Sequence, residues 1–279
     1  MGLDNFGRSD LPSGTFALPK GQGEVRTIFS DGRRVTYQRS GAGDTALVFV
    51  HGGLCDRSFW HLQVSGLADA WQILAVDLSG HGASAGLLPD DGIGGMANDI
   101  TRVVADAGAP RVVLVGHSFG ALVVIEAAKQ VDQGVLGVVV VDLLHDGQFT
   151  PPPRAPLGPD GVRGAMRQGM FKPNSNAAER ERILDAMTGG SPAIAMALQA
   201  EAMTYDATAA LRAIKAVPLS MIFGGMRPVD AVAIRRIRPD ARLYSLADAG
   251  HFVMLDAAAA FNDLLATEAR LMIGAVQKL

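Results

Sequence analysis

Short, continuous apolar runs alternate with amphipathic stretches along most of this chain. The runs lie at Ala46–Val50 and at residues 72–76, 111–115, 137–141, 219–223 and 241–246, and most of them stop at a glycine or an aspartate. Apolar runs without polar alternation are typical of parallel strands that are buried on both faces. Stretches with helical spacing lie between several of them, at residues 56–70, 92–107, 120–131 and 229–237, and another ends the chain at residues 257–277.

A different pattern precedes the first of these runs. Two β-rich segments, Glu24–Ser30 and residues 34–39, flank the pair Asp31-Gly32, which is a strong hairpin signal. Strand–helix alternation after an antiparallel hairpin predicts an α/β fold with a mostly parallel central β-sheet and helices on both faces. Residues 1–22 show no periodicity and are interpreted as an N-terminal arm.

One long interval interrupts the alternation. About 75 residues separate the fourth and fifth apolar runs, far more than a usual helix–strand connection. The interval contains three consecutive prolines at 151–153 and then three short helical patterns, at residues 160–170, 177–187 and Pro192–Thr204. We interpret residues 146–214 as a helical cap inserted into a core formed by residues 23–145 and 215–279.

Composition narrows the classes of function. The formal net charge is −3 over 279 residues, without the basic excess of a nucleic-acid-binding protein. A single cysteine excludes an intramolecular disulfide and a cysteine-based metal cluster. No apolar run approaches the length of a membrane helix, and the N-terminus lacks the apolar core of a signal peptide. We therefore expect a cytoplasmic protein, monomeric or homodimeric, that acts on a small molecule and needs no metal or cofactor.

The strongest chemical signal is a serine between two glycines. Residues 116–120 read GHSFG and lie between a predicted strand and a predicted helix, which is the context of a nucleophile elbow. Such a sharp turn leaves little room beside the serine, hence the glycines. Ser118 is thereby predicted to sit above the sheet at a helix N-terminus, where the helix dipole favours developing negative charge.

A serine hydroxyl needs a general base, and that base needs an acid to orient it. His251, in the loop after the last predicted strand, is the candidate base. The acid stays open at this point: Asp142 ends the fourth run directly, Asp230 is the alternative, and Asp146 or Asp248 are weaker candidates.

The backbone N–H groups of Phe119 and Gly53 are the candidate oxyanion hole, because two preorganised donors are needed there. Flexible, polarizable methionines in the insertion favour an apolar pocket. The candidate pocket residues are Leu54, Phe149, Met166, Met170, Met196, Met203 and Phe252.

The motifs together resemble the α/β-hydrolase superfamily. The resemblance rests on HGG at 51–53, DLSGHGAS at 77–84, GHSFG at 116–120 and Gly250-His251, and the spacing matches from about residue 24 onward. It implies a serine hydrolase that cleaves a small to medium, mainly apolar carboxylic ester or lactone through an acyl-enzyme.

The chain departs from the superfamily pattern after the fifth run, where residues 224–228 contain no carboxylate. Superfamily members with the acid after the preceding strand include the cofactor-free ring-cleaving dioxygenases. Those enzymes carry a histidine shortly after the oxyanion turn, where this chain has Cys55. C–C bond hydrolysis or cofactor-free dioxygenation of a heteroaromatic ring is therefore one alternative function, and a non-catalytic ligand receptor is another.

Overall fold

The computed structural model describes residues 23–130, 134–143 and 159–276. The predicted arm at residues 1–22, the candidate acid Asp146 and the candidate pocket residue Phe149 lie outside the described residues. The boundaries of the predicted cap at 146–214 stay a prediction.

Eight strands form one sheet in the order β1-β2-β4-β3-β5-β6-β7-β8. The β2 strand pairs antiparallel with β1 and with β4, and every other pairing is parallel. The predicted mostly parallel sheet is therefore confirmed. The strands are β1 Glu24–Ser30, β2 Arg33–Ser40, β3 Ala46–Val50, β4 Gln72–Asp77, β5 Val112–His117, β6 Val135–Val141, β7 Leu219–Gly224 and β8 Arg242–Leu246.

The predicted hairpin is also present. Ser30 pairs with Arg33 across a two-residue turn, and both turn residues, Asp31 (φ 49°) and Gly32 (φ 79°), have positive φ. Two central residues in this conformation match the right-handed twist of the flanking strands, which is why Asp-Gly is favoured there.

Ten α-helices are present in the part of the chain that the structure describes. They are α1 His61–Leu67, α2 Ile93–Asp106, α3 Phe119–Gln130, α4 Pro159–Met170, α5 Ala177–Gly189, α6 Pro192–Thr204, α7 Ala207–Ala213, α8 Ala231–Ile237, α9 Val253–Asp256 and α10 Ala258–Val276. None of these described helices is long and apolar enough to cross a bilayer.

Several details differ from the sequence-based prediction. The helix expected over residues 56–70 is a 3₁₀ turn at Arg57–Trp60 followed by the shorter α1, because the Asp56 side chain caps the 3₁₀ turn by accepting from the Ser58 N–H. The short helices α7 and α9 were not predicted. Helix α7 begins where the Asp206 side chain accepts a hydrogen bond from the Ala209 N–H, at 2.8 Å.

Alternate residues of the central strands supply two separate cores. In β3, Val48 packs with the helices on one face, whereas Phe49 packs with those on the other. Side chains on a strand point alternately to its two faces, so a strand covered on both sides must be apolar throughout. Helices α2 and α3 cover the first face, and α1 and α10 cover the second.

The four helices between β6 and β7 divide between these cores. Leu198 of α6 and Leu211 of α7 belong to the first core, whereas Ile183 and Leu184 of α5 belong to the second. Burial of each such side chain contributes about 1.5–3 kcal/mol. The inserted segment is therefore anchored on both sides of the sheet.

A buried carboxylate ties the C-terminal helix to the sheet. Glu268 of α10 is fully buried and accepts hydrogen bonds from Ser220 Oγ, from Arg242 Nε at 2.6 Å and from Tyr244 OH at 2.6 Å. Burial by itself would raise the pKa of Glu268. The three hydrogen bonds outweigh that effect and lower the pKa below its ordinary value.

We expect Glu268→Gln to lower the free energy of unfolding by about 1–3 kcal/mol, because a neutral amide cannot satisfy all three donors. The stability that comes from a lowered carboxyl pKa is present above the unfolded pKa and is lost as the pH falls through the folded pKa. The difference between the two proteins should therefore shrink below the ordinary pKa of 4.5. Urea denaturation at neutral and acidic pH measures this difference in the free energy of unfolding. The control is Asp263→Asn, on the exposed side of the same helix. Equal losses in both variants would contradict the prediction.

Candidate active site

Ser118 occupies a strained turn between β5 and α3. Its φ is +51°, in the left-handed region that a residue with a side chain rarely adopts. Backbone hydrogen bonds hold the turn on both sides: the Ser118 N–H donates to Val141 O at 2.9 Å, and the Ala121 N–H donates to Ser118 O at 2.9 Å. The side chain is partly exposed and has no hydrogen-bond partner among the described residues.

The two glycines of the GHSFG motif are required by close packing. A Cβ at Gly116 would lie 2.3 Å from Gly120 O, and a Cβ at Gly120 would lie 2.3 Å from His51 O. Neither position has space for a methyl group, because the contacted atoms belong to the backbone. The strand, the turn and the helix therefore meet at distances that only glycine permits.

His251 and Asp142 form a short hydrogen bond. The distance between His251 Nδ1 and Asp142 Oδ2 is 2.6 Å, and Asp142 is 4% exposed. The second carboxylate oxygen, Oδ1, accepts from the Gly224 N–H at 2.8 Å. Burial alone would raise the pKa of Asp142, but the hydrogen bond and the electrostatic attraction of His251 outweigh it and lower the pKa. A carboxylate in this state fixes the imidazole with Nδ1 as donor and Nε2 as acceptor.

The other candidate acids lie elsewhere. Asp230 is exposed and caps α8, where its Oδ1 accepts from the Ala233 N–H at 2.9 Å. Asp248 is exposed at the loop before His251. Asp142 is thus the described carboxylate that contacts His251, and Asp230 has the helix-capping role that its position before an apolar stretch also suggests.

Gly53 and Phe119 lie side by side at the carboxyl edge of the sheet. A Cβ at Gly53 would be 3.6 Å from the Phe119 Cβ. Phe119 is the first residue of α3, so its N–H has no acceptor within the helix. Neither N–H has a hydrogen-bond partner among the described residues. Two free donors therefore border the same space beside Ser118.

Buried histidines frame this space. His51 accepts from the Leu78 N–H through Nε2 at 3.0 Å and contacts Gly52 O through Nδ1 at 2.8 Å. His81 Nε2 accepts from the Leu54 N–H at 3.2 Å, which holds Leu54 at a φ of +62°. Burial lowers the pKa of both His51 and His81 to about 4, so they are neutral near pH 7.

His117 supports the candidate base directly. It is 1% exposed, its Nε2 donates to His251 O at 2.9 Å, and the two imidazole centroids are 4.7 Å apart. Burial, with a contribution from His251, lowers the pKa of His117 to about 3. A neutral His117 therefore holds the His251 backbone without adding a positive charge beside it.

The inserted segment also holds the His251 loop. The His251 N–H donates to Met170 O at 2.7 Å. Asp256 Oδ2 accepts from the Gly250 N–H at 2.6 Å and from Ser175 Oγ at 3.1 Å. Sequence reasoning missed Asp256. The available signal was a carboxylate five positions after His251, in the first turn of a helix.

A family model described as "Alpha/beta hydrolase family" matches residues 47–264. The chain belongs to this family. Among curated relatives, the N-formylmaleamate deformylase of Pseudomonas putida is 28% identical over 256 residues, which cover 85% of this chain and 95% of the relative. The dihydrolipoyllysine-residue acetyltransferase component of the acetoin cleaving system of Cupriavidus necator is 27% identical over 251 residues. That match covers 84% of this chain but only 66% of the relative, slightly under two thirds of its length.

Solved structures agree on the fold of this alpha/beta hydrolase. A thermophilic esterase from Thermogutta terrifontis superimposes with a TM-score of 0.77 at 22% identity, over 89% of this chain and 99% of the esterase. Identity at this level supports the fold alone, so the chemistry has to be argued from the site itself.

The structure gives the surroundings of the predicted pocket residues of this alpha/beta hydrolase, and their role in a pocket stays a prediction. Met196 and Met203 are 71% and 56% exposed, because they lie on the solvent side of α6, whose Leu198 faces the core. Phe252 is 1% exposed and packs against Phe59, Phe171 and His117 within the second core, so it is a packing residue.

The remaining predicted pocket residues that the structure describes, Leu54, Met166 and Met170, are partly buried. Leu54 packs against the first core, whereas Met166 and Met170 pack against the second. Within the described ranges, no three His, Cys, Asp or Glu side chains come together as a metal site. Burial raises the pKa of the Cys55 thiol, so Cys55 is a neutral, buried thiol at neutral pH.

We expect Gly120→Ala to destabilise this alpha/beta hydrolase by about 1–3 kcal/mol or more, because the new methyl group would overlap the backbone oxygens of His51 and Val50. Thermal or urea unfolding measures the loss. Gly274→Ala is the matched control, since a Cβ at Gly274 in α10 meets no atom within 4 Å. Alanine should be neutral or stabilising there. A Gly120→Ala protein as stable as the control would show that the turn around Ser118 has room for a methyl group at position 120.

Proposed function

We propose that this chain is a serine hydrolase that cleaves a small to medium carboxylic ester or lactone through an acyl-enzyme. The observation that carries the proposal is the 2.6 Å hydrogen bond between His251 Nδ1 and Asp142 Oδ2 at the edge of the sheet where the elbow presents Ser118. Membership of the alpha/beta hydrolase family supports it, as do relatives named as a deformylase and a methyl ester esterase.

In the proposed reaction, Ser118 Oγ attacks the carbonyl carbon while His251 Nε2 takes the hydroxyl proton. The Phe119 and Gly53 N–H groups then stabilise the negative charge on the carbonyl oxygen. Asp142 stabilises the imidazolium and stays ionised, which its lowered pKa favours.

His251 next donates its proton to the leaving alkoxide, and an acyl group stays on Ser118. Water attacks this acyl group with His251 again as base. The tetrahedral intermediate then collapses, and the proton returns to Ser118, so the free acid leaves and the enzyme is regenerated. His251 serves every proton transfer in this scheme, and the reaction as written uses no cofactor.

Fewer residues support an apolar substrate than the sequence indicated. Two of the four methionines expected to line the pocket are exposed, and Phe252 is buried in the core. Leu54, Met166 and Met170 are partly buried and still favour an apolar substrate.

We expect wild-type protein to hydrolyse p-nitrophenyl esters, and Ser118→Ala to lower kcat by on the order of 10⁴-fold or more, because the nucleophile is lost. A fluorophosphonate should label the wild type and not the variant. A chain-length series from acetate to octanoate measures the size of the acyl site. Retained turnover in Ser118→Ala together with oxygen uptake would instead favour dioxygenation, and tight ligand binding without turnover would favour a receptor.

We expect Asp142→Asn to lower kcat by up to about 10⁴-fold, since the amide no longer fixes the imidazole tautomer or stabilises its charge. Asp230→Asn should change kcat by less than about twofold and cost only the fraction of a kcal/mol typical of a modified helix cap. Circular dichroism of both variants checks that they are folded. If Asp230→Asn causes the large loss and Asp142→Asn does not, the assignment of the acid is wrong.

A further inference from the structure

A cavity of about 420 Å³ opens beside the turn that follows α4. It lies between the C-terminal turn of α4, the start of α5 and the loop after β7. The lining residues that matter to its chemistry are Arg167, Phe171, Lys172, Arg180, Gly225 and Met226.

The cavity lies next to the loop that carries His251. Its wall residue Gly225 donates its N–H to Ala249 O at 2.8 Å, and its wall residue Phe171 stacks on Phe252 with a centroid distance of 5.7 Å. Met170, which precedes Phe171, accepts the His251 N–H. Because β7 is parallel to β5, the loop after β7 and the Ser118 elbow lie at the same edge of the sheet.

The lining is cationic and contains no carboxylate. Arg167 Nη2 lies 2.8 Å from Glu181 Oε2, and that carboxylate is also shared with Arg163 at 2.7 Å. Lys172 forms no ion pair with any carboxylate in the described part of the chain. Three cationic side chains and no carboxylate therefore line the cavity, although Glu181, outside the lining, pairs with Arg167 and Arg180.

Arg180 has a donor without an acceptor. Its Nε is buried and has no hydrogen-bond partner in the described residues, although Glu181 Oε1 lies 3.5 Å away. Arg180 therefore pairs only loosely with Glu181, and its side chain lines the cavity. Arginine donors in a planar fork match a carboxylate, and a lysine adds a point charge.

We propose that this cavity binds a carboxylate group of the substrate, so that the preferred ester carries a second, anionic end beyond the scissile bond. This inference rests on the proposed function and narrows it. The same chemistry would also bind a separate small carboxylate, so the experiment has to distinguish a substrate subsite from an effector site.

The test compares mono-p-nitrophenyl succinate, glutarate and adipate with the same esters whose free carboxyl is methylated. We expect kcat/KM to favour at least one acidic ester by about 10-fold or more, as for a hydrogen bond to a charged group. The preference should shrink at high salt, because screening weakens exposed charges.

Lys172→Met and Arg180→Met should each remove most of this preference by raising KM for the acidic ester. Neither should change kcat/KM for the methylated ester by more than about twofold. Lys215→Met, at an exposed lysine outside the cavity, is the control and should keep the preference. Calorimetric titration with glutarate gives a readout that does not depend on turnover: it should bind to wild type and to Lys215→Met, and bind at least several-fold more weakly to the two cavity variants.

The outcomes separate the two proposals. Ser118-dependent hydrolysis of methylated esters with no preference for any acidic ester would overturn the cavity assignment and leave the serine hydrolase standing. A preference that survives in both cavity variants would also overturn it. Glutarate that inhibits without competing with the ester would overturn the substrate subsite in favour of an effector site. No turnover of any ester would count against the proposed hydrolase activity. The calorimetry would still decide whether the cavity binds a carboxylate.

Discussion

The hydrogen bond between Asp142 and His251 joins two loops that are 109 positions apart in the chain. Its geometry depends on the parallel register of β5, β6 and β7, which brings the ends of these strands to one edge. Asp142 leaves β6 with a φ of +46°, and its carboxylate is fixed by the Gly224 N–H at the end of β7. Two neighbouring strands therefore orient one carboxylate. His117 and Met170 fix the histidine from the other side, through its backbone O and N–H.

Residues with a strained backbone are concentrated at this edge of the sheet. Ser118, Asp142 and Leu54 all have positive φ, and all three follow the ends of strands. Each such residue costs of the order of 1–3 kcal/mol and persists only where its surroundings enforce it. The two large cores on either side of the sheet provide that enforcement, because the strands between them cannot shift without losing buried apolar contacts.

The inserted segment also supports the His251 loop in this structure. Its backbone at Met170 and its side chain at Ser175 bond to the His251 loop or to the carboxylate that holds it. The cationic cavity is built on the same turn, between α4 and α5. A substrate group bound there would contact residues that neighbour the proposed base. The short turn between α4 and α5 therefore positions His251 and, in our proposal, also selects the substrate.

The sequence by itself determined the sheet, the hairpin and the elbow, because each depends on a local pattern: apolar runs buried on both faces, an Asp-Gly turn, and glycines around Ser118. It did not decide between Asp142 and Asp230, since spacing along the chain does not reveal which strand ends are neighbours. It also did not reveal that Met196 and Met203 are exposed, because the face that a helix buries depends on what packs against it. Only the tertiary structure decided the contacts of Asp256 and the position of Arg167, Lys172 and Arg180 around one cavity. The reason is that separation along the sequence does not tell how far apart two residues lie in the folded chain.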